Sequence, residues 1–76
     1  MDPQATWGYL LDALGEQDWD QVQDLAESLL RWLRADGFPP RAVTGSDLGP
    51  DWDREIASAG CRFALALARE GVAHVS

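Results

Sequence analysis

The sequence predicts an all-α domain of three helices. An antiparallel helical hairpin over about 3–14 and 19–36 is followed, after a long Pro/Gly loop, by a third helix over about 51–70. Two observations carry this. Apolar residues recur at i, i+3, i+4 and i+7 in three separate stretches, the spacing of one helical face. The tripeptide Asp-Trp-Asp also occurs twice, at Asp18-Trp19-Asp20 and Asp51-Trp52-Asp53, each time shortly after a Leu-Gly pair and just before a helical run. A carboxylate there accepts the free N–H groups that open a helix and complements the positive end of its dipole.

Helix one begins at Asp2-Pro3, a capping carboxylate followed by a proline suited to the first helical position. Trp7, Leu10, Leu11 and Leu14 mark its apolar face. Gly8 lies within it, at a cost of about 1 kcal/mol against alanine. Gly15 is expected to end the helix in the left-handed conformation.

Helix two has the strongest pattern. Asp18 with Gln21 three residues on resembles a capping box. Trp19, Val22, Leu25, Ala26, Leu29, Leu30, Trp32 and Leu33 share a broad apolar arc, with Asp20, Gln23, Asp24, Glu27, Ser28, Arg31 and Arg34 opposite. Glu27 and Arg31 are spaced for a weak surface ion pair. Arg31 and Arg34 suit the negative end of the dipole. Gly37 is expected at the left-handed position past the end, with Phe38 reaching back to Leu33, before Pro39-Pro40 forbids continuation.

The segment from Phe38 to Pro50 is irregular and long for so small a domain. Phe38, Val43 and Leu48 are its candidate anchors. Helix three then offers two apolar surfaces. Its main face is Trp52, Ile56, Ala59, Gly60, Phe63, Ala66 and Leu67; beside it runs a seam of small residues, Ala57, Cys61, Ala64 and Ala68. Gly71 is expected to stop the helix, leaving 72–76 as a mobile tail of a single 76-residue domain. The two Asp-Trp-Asp copies recur near the period of tetratricopeptide repeats, about 34 residues. The Pro/Gly-rich segment before Trp52 leaves no room for a second helical hairpin, so no such repeat is assigned.

Composition narrows the chemistry. The formal charge is −7, with 13 acidic and 6 basic residues, all six of the latter arginine. That balance opposes contact with nucleic-acid phosphates or an anionic membrane surface. The longest apolar stretch, Phe63 to Ala68, is too short to cross a bilayer. With one cysteine no internal disulfide forms, and an unpaired thiol fits a reducing compartment, so a cytoplasmic location is expected. Cys61 is expected to be a buried structural residue, and His74 a surface residue near the chain end. No nucleophile–base pair, metal-ligand set or phosphate-cradling loop is visible, so no catalytic residue, metal or cofactor is assigned. The paired carboxylates Asp18/Asp20 and Asp51/Asp53 are accounted for by capping.

The expected role is a small non-enzymatic interaction or assembly module. Three helices can each bury one wide face, and helix three offers nearly two. The seam Ala57, Cys61, Ala64 and Ala68, with Leu65 and Trp32 as exposed apolar neighbours, is therefore the expected interface for a homodimer or a partner helix. The competing reading is an acidic inhibitor that imitates nucleic acid or docks on a basic partner, through Asp12, Glu16, Asp20, Asp24 and Glu27.

Overall fold

In the computed structural model, which describes the backbone of residues 1–75 and the side chains of residues 1–71, the described chain forms three helices: α1 (Pro3–Glu16), α2 (Trp19–Arg34) and α3 (Pro50–Val75). The all-α, three-helix expectation is met. Helix α2 lies in the middle and packs against both others. The molecule measures 41 × 26 × 18 Å, and its thin dimension is less than two helix diameters of about 10–12 Å. The arrangement is thus a shallow layer of helices with α2 as its spine.

Both early helix starts follow from their caps. The Gln4 and Ala5 N–H groups donate to Asp2 Oδ1 at 3.1 and 3.2 Å, and Pro3 occupies the first turn. The Gln21 N–H donates to Asp18 Oδ1 at 3.4 Å. Asp18 also serves the helix before it, since its own N–H donates to the Ala13 carbonyl at 3.0 Å. One residue closes α1 and opens α2.

The helix ends differ from the glycine-based expectation. Helix α1 passes through Gly15 and turns at Gln17, which takes the left-handed conformation with φ 57°. Helix α2 ends at Arg34, two residues short of the expected boundary, and the left-handed residue is Asp36 (φ 63°) rather than Gly37. The Asp36 N–H donates to the Leu33 carbonyl at 3.2 Å and the Gly37 N–H to the Trp32 carbonyl at 2.9 Å, the bonding of a Schellman ending shifted by one residue. Gly37 is used for contact instead: the Trp32 ring fills the space a Cβ would need there. Phe38 does not return to Leu33; it meets Trp32 edge-on, with ring centroids 5.9 Å apart.

The connecting loop is pinned by groups other than the expected anchors. Pro40 is fully buried and Ala42 packs against the core, whereas Phe38 and Leu48 are exposed. Two side chains fix its path. The Arg41 N–H donates to Gln4 Oε1 at 2.7 Å, and the Ala42 N–H donates to Asp53 Oδ1 at 3.2 Å. Arg54 Nη1 donates to the Leu33 carbonyl at 2.8 Å, so the start of α3 caps the end of α2 with a cation. The neighbours Asp53 and Arg54 thereby tie α3 to the loop and to α2.

The core runs along α2. Val22, Ala26, Leu29, Leu30 and Leu33 are buried there, meeting Leu10 and Ala13 of α1 on one flank and Ala57, Cys61, Ala64 and Ala68 of α3 on the other. Each buried Leu or Val stabilises by roughly 1.5–3 kcal/mol, while the alanines of α3 contribute little area and mainly allow close approach. Helix α3 continues past Gly71 to Val75 instead of stopping near Glu70. The Trp19 ring lies on Gly71, as the Trp7 ring lies on Gly60.

Candidate interaction surface

The two apolar surfaces of α3 exchange the roles expected of them. Ala57 and Cys61 are 0% exposed and Ala64 and Ala68 are 1% exposed, all turned toward α2 of the same chain. Leu65 and Trp32, expected beside them as exposed residues, are half-buried and packed against that core. Trp32 also donates its indole N–H to the Phe38 carbonyl at 2.8 Å. Four of the six residues assigned to a partner interface therefore belong to the interior, and Leu65 and Trp32 stand half-buried at its margin. The reason is steric. Helix α2 presents leucines and a valine, and a strip of small side chains lets two such helices approach closely.

The opposite side of α3 is left to solvent. Trp52 is 59% exposed and Phe63 is 65% exposed, with exposed Ala59 and Ala66 between and beyond them and half-buried Ile56 and Leu67 along one edge. By hydropathy this main apolar face is the one to pack inward against the hairpin, and the structure turns it outward. Glu55, Arg62, Arg69 and Glu70 are exposed on the same side of the helix. Two arginines, Arg62 and Arg69, stand there against two glutamates, Glu55 and Glu70, so these exposed charges balance, whereas Arg54 turns toward α2. Its signal was present in the sequence as the Trp52–Phe63 stripe; what hid it was the assumption that the larger side chains go inside.

The repeated tripeptide is used in two ways. Trp19 is half-buried over Gly71, and its neighbour Asp18 caps α2. Trp52 faces solvent, and its neighbour Asp53 holds the loop.

The acidic residues Asp12, Glu16, Asp20, Asp24 and Glu27 are all exposed. Asp12 and Glu16 line a shallow groove between α1 and α2 together with Tyr9, Asp18 and Gln21. Asp20, Asp24 and Glu27 lie apart from it on the outer arc of α2. Glu27 Oε1 accepts a hydrogen bond from Gln23 Nε2 at 3.5 Å, in place of the expected pairing with Arg31. Among the described residues Arg41 pairs with Asp47 at 3.8 Å, an exposed ion pair worth little.

Cys61 is buried, and burial pushes its thiol up from 9.0 to about 11, with the Arg62 charge pulling weakly the other way. Such a thiol is a poor nucleophile at neutral pH. Among the described residues no group of three or more His, Cys, Asp or Glu is placed to hold a metal ion. His74 lies outside the residues whose side chains are described. No helix among the described residues is long and apolar enough to cross a membrane. Comparison with family models, curated proteins and solved structures finds no match.

Proposed function

We propose that this chain is a non-enzymatic interaction module that self-associates through the outer face of α3, in a reducing compartment such as the cytoplasm where a lone thiol stays unpaired. The observation that carries the reading is the pair of large aromatic side chains, Trp52 and Phe63, standing exposed on one face of one helix. Contiguous apolar surface of this kind marks contact sites on soluble proteins. Covering both rings on two copies removes roughly 400 Å² of aromatic surface. At about 25 cal/mol/Å² that stabilises the pair by about 10 kcal/mol. Immobilising two molecules costs about 4–15 kcal/mol. The association is accordingly concentration-dependent, with a Kd of roughly tens of micromolar at the tightest.

Sedimentation across the micromolar to millimolar range tests this. A rise in mass with concentration is expected. Phe63→Glu should abolish it while leaving the helical circular dichroism unchanged, because Phe63 supports no internal packing. Ala64→Glu, one residue along and buried, should instead unfold the chain. A wild-type protein that stays monomeric over that range and sediments like Phe63→Glu overturns the reading.

The stripe Asp20, Asp24 and Glu27, exposed along the outer arc of α2, favours a second reading: docking on a basic groove in the manner of nucleic acid. It predicts competition with DNA for a basic protein, weakening steeply with salt. Salt-insensitive binding would exclude it.

A further inference from the structure

We infer that the occupant of the outer α3 face is a second copy of the same helix running antiparallel, in a register centred between Ile56 and Ala66. This rests on the self-association reading above and adds its geometry. Trp52, Ile56, Ala59, Phe63, Ala66 and Glu70 are spaced alternately by four and three residues, the a/d repeat of a coiled-coil seam. All lie on the side of α3 turned away from α2, four of the six being exposed hydrophobic or alanine residues.

The sizes along this seam choose the direction. In the antiparallel register Phe63 meets Ala59 of the second copy and Ile56 meets its Ala66, large against small at every central layer. A parallel pair would set Phe63 on Phe63 and Ala59 on Ala59, alternating overpacked and empty layers. It would also set Glu70 against Glu70 in the seam.

Charge makes the same choice. Glu55, Arg62 and Arg69 are exposed and occupy the flanking positions on one side of the seam. In the antiparallel register Glu55 of each copy lies beside Arg69 of the other, giving two symmetric opposite-charge pairs. The parallel register pairs Glu55 with Gly60 and Arg62 with Leu67, and so offers neither. Arg62 meets its own copy at the two-fold axis, where both long side chains reach solvent. The exposed acidic stripe of α2 lies away from this contact, so the chain's net charge of −7 is not concentrated across it.

The test uses the full chain with a spin label at Asp51→Cys; Cys61 is buried and stays unlabelled. Antiparallel helices place the two labels about 30 Å apart along the axis, at 1.5 Å per residue. Parallel helices place them side by side. Glu55→Arg or Arg69→Glu alone should weaken the dimer about tenfold, and the two together should restore it. Arg62→Gln should tighten it. A dimer with adjacent labels, or one in which the double exchange fails to restore association, overturns the antiparallel register and leaves self-association standing. A monomeric mass for the unlabelled protein defeats the self-association reading itself.

Discussion

The ring of Trp19, the first residue of α2, lies on the backbone of Gly71, near the far end of α3. A side chain at 71 would have to displace that ring. Trp7 bears on Gly60 in the same way, where a Cβ would come within 2.8 Å of the ring. These two contacts fix α3 at its middle and near its end, one from each of the other helices.

Alanine at these glycines should therefore act against its helical preference. Gly60→Ala and Gly71→Ala are expected to destabilise the chain by about 1–3 kcal/mol through overpacking. Gly8 and Gly15 are also helical, but nothing lies within 4 Å of a Cβ added at either. Gly8→Ala and Gly15→Ala should stabilise by up to about 1 kcal/mol. In a domain this small each kcal/mol moves the thermal midpoint by roughly 4–8 °C, so the two pairs separate clearly by circular dichroism. Equal midpoints for Gly71→Ala and Gly8→Ala would dismiss the contact.

Arg54 should matter more than a surface arginine. Its guanidinium binds the Leu33 carbonyl, which the last turn of α2 would otherwise leave to the Asp36 N–H alone. Arg54→Met keeps the aliphatic stem and removes the donor, at an expected cost of about 1.5 kcal/mol. The urea midpoint of unfolding measures it. A matched Arg69→Met, on an exposed arginine, should be near neutral in the monomer.

Cys61 should report on folding through its reactivity. A thiol raised from 9.0 to about 11 carries about a hundredfold less thiolate below pH 9, before access is considered. Alkylation should be at least that much slower in the folded chain than in urea. The sign for stability follows: the folded state favours the neutral thiol. Its contribution is intact below pH 9 and is lost as pH rises through about 11. Wild type should lose thermal stability over that window relative to Cys61→Ala. Parallel midpoints for the two proteins would show that folding does not raise the thiol.

Much of the architecture was legible because it rests on local signals. The caps at Asp2 and Asp18, the amphipathic arc of α2 and the Pro-Pro break each act within a few residues. The sidedness of α3 was not. Hydropathy ranks Trp52 and Phe63 above Ala57 and Ala64, yet burial went to the residues that let α3 approach α2. That choice depends on the shape of a surface over twenty residues away in sequence, where Val22, Leu29 and Leu33 already supply the bulk. Helix ends failed for a related reason. Gly37 and Gly71 read as stops, but tryptophans use their missing side chains, so Asp36 takes the left-handed turn and α3 runs on. The loop anchors could not be found by seeking large apolar residues, since Gln4 and Asp53 hold its backbone by hydrogen bonds.

Asp18 gives its N–H to Ala13 and takes one from Gln21. A junction built on a single shared residue has no slack. Lengthening it by one position would separate the two duties, so the hairpin tolerates changes of side chain there better than changes of chain length.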